Sequence, residues 1–124
     1  MLLLLDTHVV VWWRTNDVAL QGEARAGITS ADRVFVSAAS AWEVAIKVAL
    51  GKLRIPGAFA EAVEASGFDE LPITFRHAAH AGGLPPHHAD PFDRMLIAQA
   101  IGEGLTVVTH DRAFAAYGVP VIWT

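Results

Sequence analysis

Short apolar runs alternate along the chain with longer segments whose apolar residues recur every three or four positions. Leu2–Leu5 has no polar position and reads as a buried strand. Residues 34–36, 71–73, 105–108 and 119–122 read the same way. Strands that are apolar on both faces suit a parallel sheet covered on both sides. Between them the spacing predicts helices over residues 8–14, 20–28, 38–50, 58–65 and 92–103. In the helix over 38–50, Trp42, Ala45, Ile46 and Ala49, with Leu53 beyond it, form one apolar stripe. Pro56 opens the next helix, and Gly102 and Gly104 stop the last. Residues 82–88, with two glycines, two prolines and two histidines, are expected to form a loop just before the fourth unit. Alternating strands and helices predict an open α/β sheet with helices on both faces.

Composition narrows the class. The chain has 124 residues, a length for one domain spanning 1–124. Hydrophobic residues make up 53% and charged residues 18%, which excludes disorder and leaves apolar surface for a homodimer or a partner. There is no cysteine, so a disulfide scaffold, a thiolate zinc site and a cysteine nucleophile are excluded. The net charge of −4 argues against binding nucleic acid through a generic basic surface. Any such role needs a local site, with a cation to bridge it. The apolar start stops at Asp6 and has no basic flank, so neither a signal peptide nor a membrane span is expected.

The carboxylates fall at telling places. Asp6 directly follows the first strand, and Glu43 sits in the first turns of the helix after the second. Asp90 and Asp93 open the helix before the fourth strand, and Asp111 follows that strand by two residues. Ligands of an open parallel sheet bind beyond the carboxyl ends of its strands, so these acids are expected to share one pocket. Each also has a structural reading. Asp6, Asp90 and Asp111 suit helix N-caps, Ser40 and Glu43 fit a capping box, and Lys47 could pair with Glu43. Taken together, however, carboxylates about 6 Å apart repel by roughly 2–3 kcal/mol per pair at an effective dielectric of about 20. A hard divalent cation such as Mg²⁺ or Mn²⁺ relieves that repulsion, polarises a phosphate and acidifies a water. The chemistry expected is metal-assisted phosphodiester hydrolysis.

Four segments, in order, carry a family resemblance: Leu4-Leu5-Asp6-Thr7-His8; Val36-Ser37-Ala38-Ala39-Ser40-Ala41-Trp42-Glu43-Val44-Ala45-Ile46-Lys47 with Gly51-Lys52-Leu53; Asp90-Pro91-Phe92-Asp93-Arg94-Met95-Leu96-Ile97-Ala98-Gln99-Ala100; and Val107-Val108-Thr109-His110-Asp111. Together they resemble a PIN domain of the VapC toxin branch over nearly the whole chain. The resemblance implies a three-layer α/β fold with a central parallel five-stranded sheet flanked by helices. It implies an Mg²⁺- or Mn²⁺-dependent endoribonuclease that is cytoplasmic, homodimeric and neutralised by a cognate VapB-like antitoxin. The family acids fall on Asp6, Glu43, Asp93 and Asp111. Asp6 and Asp93 would bind the principal metal, Glu43 would orient the attacking water, and Asp111 would complete the outer or second-metal shell. Asp90 would be a cap or an outer-shell ligand, and Thr109 would hold a water or order Asp111. Hydrolysis would leave a 5′-phosphate and a 3′-hydroxyl. His8 stands where many relatives carry Asn or Ser, which leaves open what hydrogen-bonds Asp6.

Other readings compete. A phosphatase with Asp6 as nucleophile would want a second Asp at position 8, which is His. A non-catalytic PIN-fold binding module would keep the fold without needing all of the acids. His77 and His80 could share a helix face for zinc, without the rest of a zinc motif. His87 and His88 read as loop residues, solvated or touching RNA or a partner. Lys47, Lys52, Arg54, Arg94 and Arg112 could each meet phosphates, form ion pairs or be solvated. Of Trp12, Trp13 and Trp42, one could stack on a base, while core or interface packing serves the others. Trp123 is placed at the sheet edge.

Overall fold

The fold is described from a computed structural model covering residues 1–124. Five strands, β1 (Leu2–Leu5), β2 (Arg33–Ser37), β3 (Asp69–Leu71), β4 (Thr106–Thr109) and β5 (Val121–Trp123), form one sheet. Their spatial order is β3-β2-β1-β4-β5, and every pairing is parallel. The chain builds outward from β1 in one direction and then returns to lay β4 on its other side. The topological switch therefore lies between β1 and β4, where an open parallel sheet forms its ligand crevice.

Side chains alternate across a strand, and β1 divides the core accordingly. Leu3 and Leu5 face one layer with Val9, Val10, Leu20, Ala24, Ile28 and Val63. Apart from Leu20, which lies between α1 and α2, these come from helices α1 (Thr7–Thr15), α2 (Gly22–Ser30) and α4 (Phe59–Ala65). Leu4 faces the other layer with Leu96, Ile97, Ala100 and Phe114. That layer holds α6 (Pro91–Glu103) and a 3₁₀ helix, Arg112–Tyr117, with α5 (Phe75–Gly83) packed on α6. The remaining helix, α3 (Ala38–Ala49), touches both α1 and α6. It therefore joins the two layers at the carboxyl end of the sheet.

The five-stranded parallel sheet flanked by helices matches the expectation, while several boundaries do not. The third strand occupies residues 69–71 rather than 71–73, because Pro72 lacks the N–H needed to continue the ladder. That strand lies at the sheet edge and carries Asp69 and Glu70, so it lacks the unbroken apolar run of a central strand. The last strand begins at Val121, after Pro120, rather than at 119. Helix α5 was not expected, and it takes Gly82 and Gly83 into its final turn. Thr74 caps it through a reciprocal bond with His77, a pattern outside the usual Ser/Thr-to-Glu signature. The cap of α3 is Ser37, whose hydroxyl accepts from the Ala39 N–H, rather than a Ser40–Glu43 box. That shift leaves Ser40 and Glu43 free to face inward.

Candidate active site

Turns from strand to helix deliver Asp6 and Asp111, the start of α6 after a loop delivers Asp90 and Asp93, and α3 carries Glu43. Asp6 closes β1 and starts α1, with 4% of its surface exposed. Its Oδ1 accepts the Thr7 N–H at 2.6 Å, and its Oδ2 accepts the Thr109 hydroxyl at 2.7 Å. This answers what hydrogen-bonds Asp6. His8 is exposed and contributes only its nearby charge. Thr109, at the end of β4, accepts the Asp111 N–H at 3.0 Å through the same hydroxyl oxygen. Asp111 then caps the 3₁₀ helix, its Oδ1 accepting from Ala113 at 2.9 Å. Asp90 caps α6, its Oδ1 accepting from both Phe92 and Asp93. Asp93 follows in the first turn of that helix.

Asp6, Asp93 and Asp111 line one cleft of about 300 Å³, together with His8, Trp12 and His110. Glu43 does not line that cleft but lies close enough for its charge to act on Asp6 and Asp93. Its helix is tied to α1 by the buried contact between Thr7 Oγ1 and Ser40 Oγ at 2.8 Å. Lys47 Nζ donates to Glu43 Oε2 at 2.7 Å, the pairing anticipated along the helix. Glu43 Oε1 is buried and has no hydrogen-bond partner. Two hollows elsewhere are larger, about 620 and 420 Å³. The smaller cleft stands out because buried Asp6 and half-buried Asp93 and Asp111 converge on it.

The electrostatics carry the mark of that convergence. Burial raises the Asp93 carboxyl to about 7, and the charges of Asp6 and Asp90 push the same way. Burial also raises Asp6, against the lowering effect of the Thr109 hydrogen bond. Asp111 is held below its ordinary value, because the Ala113 N–H and His88 outweigh its partial burial. His88 is raised even though burial opposes its charge, through its bond to Asp111 and the charges of Asp93, Asp111 and Asp90.

His88 is the site residue that sequence reading missed. Its Nε2 lies 2.7 Å from Asp111 Oδ2 and 3.0 Å from Asp93 Oδ2. One ligand atom from each of His88, Asp93 and Asp111 falls within 4.8 Å of the others, a group able to hold a metal ion. The only available signal was its place two residues before Asp90, in a loop with no regular pattern. Arg94 is also reassigned. Its guanidinium donates to the carbonyls of Ala81, Leu84, Pro85 and His88, so it closes this loop. His77 is buried in the Thr74 cap with Nε2 2.8 Å from Glu103, away from the cleft. Trp13 packs on Phe68 under Arg25, whereas Trp12 lies in the cleft wall near His8 and His110. Trp123 is in the edge strand with Arg112 stacked over it.

The donors fit a hard cation. The cleft offers carboxylate oxygens, and Glu43 Oε1 is a buried acceptor with nothing to accept. In the metal-free protein Asp93 must give up stability to ionise. Its proton is held in the folded state up to about pH 7 and in the unfolded chain only to about 4. Stability of the metal-free protein should therefore fall as pH rises through that window. Asp93→Asn should abolish most of this dependence. At pH 8 in EDTA the variant should be more stable by up to about 4 kcal/mol, with little difference near pH 4. Thermal melts of both proteins across that range measure it.

Comparison with known proteins agrees with the fold. The PIN domain family model matches residues 3–120. Ribonuclease VapC22 of Mycobacterium tuberculosis is 35% identical over 125 residues, covering 94% of this chain and 92% of that protein. The VapBC2 structure from Rickettsia felis, bound to a promoter DNA fragment, superposes with a TM-score of 0.69 at 14% identity, covering 98% of each chain. DNA-bound VapBC from Salmonella typhimurium gives a TM-score of 0.68 at 24% identity, again over 98% of each. These two likenesses concern the fold. With the family match over nearly its whole length and a full-length relative above 30% identity, this chain belongs to the PIN-domain family, in its VapC branch.

Proposed function

We propose that this chain is an Mg²⁺- or Mn²⁺-dependent endoribonuclease toxin, cutting phosphodiester bonds of specific cellular RNA and neutralised by a VapB-like antitoxin. The observation that carries the reading is the convergence of Asp6, Asp93 and Asp111 on one cleft, with Asp93 pushed up to about 7 by burial and by its neighbours. Resemblance to a ribonuclease of the VapC branch supports the reaction, and VapBC complexes among its structural neighbours support the partner. One domain over residues 1–124 accommodates all of it, because the single sheet uses both ends of the chain. A cytoplasmic place is part of the proposal. No helix is long and apolar enough to cross a membrane.

Asp6 and Asp93 would hold the principal cation, with Asp111 at its outer edge. Bound there, the cation would supply Lewis acidity, polarising the scissile phosphate and acidifying the attacking water. Asp6 is suited to this because Thr7 and Thr109 fix both of its oxygens, leaving their remaining lone pairs in a set direction. Glu43 Oε1 would accept a proton or a hydrogen bond from the attacking water, while Lys47 holds the other oxygen. Asp90 spends Oδ1 on two backbone N–H groups and would serve mainly by setting the start of α6. Thr109 would order Asp6 and Asp111 together. Trp12 offers an aromatic face beside the acids, placed to stack a base next to the scissile phosphate. Trp42, at 64% exposure, shares an exposed apolar face with Ile46 of α3 and Leu50 at its C-cap, suited to an antitoxin or a second copy.

Purified protein mixed with total cellular RNA should cut it with Mg²⁺ or Mn²⁺ and not with EDTA, leaving 5′-phosphate ends. Asp6→Asn or Asp93→Asn should lower the rate by about a thousandfold or more while the fold survives. A near-normal rate in either variant would sink the site assignment. Glu43→Gln should slow cleavage more than it weakens metal binding. Equal losses would instead make Glu43 a direct ligand. On an RNA once identified, Trp12→Ala should raise KM about tenfold with a smaller change in kcat, and Trp12→Phe should recover part of it. An unchanged KM would remove Trp12 from the RNA path.

A further inference from the structure

His88 is held at every polar atom it has. Its backbone N–H donates to the Tyr117 hydroxyl at 2.8 Å, and that hydroxyl donates to the Pro85 carbonyl. Its carbonyl accepts from Arg94 at 3.2 Å. Its ring lies edge-on to Phe114, with centroids 6.1 Å apart. The Asp90 N–H donates to Nδ1 at 3.2 Å. Nε2 then reaches Asp93 and Asp111 at 3.0 and 2.7 Å.

The Asp90 bond decides what Nε2 can do. A histidine that binds a metal through Nε2 carries its proton on Nδ1 and gives that proton to an acceptor. Here Nδ1 faces a donor. Freeing Nε2 for a metal would set one N–H against another and strand the Asp90 N–H at the start of α6. The arrangement instead favours a proton on Nε2, aimed at two carboxylates that would otherwise repel. From the Asp90 N–H at Nδ1 and the two short carboxylate contacts at Nε2, we infer that His88 is a positioning residue. Its Nε2–H donates to Asp111 with Asp93 held 3.0 Å away on the same atom, and so it clamps the two acids and stays off the cation that they would bind.

This inference rests on the metal reading above and adds a consequence to it. The cation meets oxygen donors only, which suits Mg²⁺ or Mn²⁺, whereas an imidazole ligand would favour later transition metals. His88→Gln keeps an N–H donor on a side chain of similar reach, and His88→Ala removes it.

Three measurements test the inference. Two-bond ¹H–¹⁵N spectra of the metal-free protein should show a proton on His88 Nε2, and a bare Nε2 would overturn the clamp. Pulsed EPR of the Mn²⁺-loaded protein should show no directly bound ¹⁴N. A coupling present in the wild type and lost in His88→Gln would make His88 a ligand and overturn the inference. Mn²⁺ affinity should fall about tenfold to a hundredfold in His88→Ala and stay within a few-fold of wild type in His88→Gln. Unchanged affinity in His88→Ala would also overturn it. If the wild type bound no Mn²⁺, the metal reading itself would fail, and the ring-proton spectrum alone would then decide whether His88 clamps the two acids.

Discussion

Asp6 stands at the end of the central strand with 4% of its surface exposed, and Thr109 on the neighbouring strand donates to it at 2.7 Å. An unpaired buried carboxylate costs several kcal/mol. That cost sets what must surround it. Thr7 supplies one donor from the start of α1, and Thr109 supplies the other from the end of β4. Because the Thr109 oxygen also accepts the Asp111 N–H, a single hydroxyl sets the spacing between two of the acids. The sheet order makes this possible. Only when β4 pairs with β1 does residue 109 come beside residue 6.

Capping and site building turn out to be one arrangement rather than alternatives. Asp6, Asp90 and Asp111 all cap helices. The start of a helix points free N–H groups at the carboxylate just before it. Those groups hold the carboxylate still and partly offset its charge. Each oxygen keeps further lone-pair capacity for another partner. The same local chemistry that starts each helix therefore fixes the donors of the cleft before anything binds. Glu43 is the exception. It sits within a helix, is held by Lys47, and keeps one buried oxygen unpartnered.

What could be read from the residues follows the range of the interactions concerned. The buried strands β1 and β4 and the helices α3 and α6 are legible, because apolar periodicity is local. Edge strand β3 is legible only to within two residues, and helix α5 is not legible at all. The first is short and polar, and the second has a Thr74–His77 cap and two glycines in its last turn. The acids could be placed by position because parallel topology sends strand ends to one side. His88 could not. Its role depends on Arg94, Tyr117 and the Asp90 N–H closing a loop across the fold, and no residue pattern encodes that closure. Arg94 was hidden for the same reason, since a guanidinium bound to four carbonyls looks, in sequence, like any surface arginine.

The cleft also links stability to ligand affinity. Burial and the neighbouring charges that raise Asp93 to about 7 act against the folded, metal-free protein above that pH. A cation that entered would remove the repulsion and release that proton. The free energy withheld from folding would then return as affinity, so a site that weakens the empty protein would strengthen the loaded one. His88 limits how far this goes. By donating to Asp111 with Asp93 only 3.0 Å away, it would relieve part of the repulsion before any ion arrives. The empty cleft thereby keeps its shape instead of splaying open, and the carboxylates stay close enough to receive a small, hard ion.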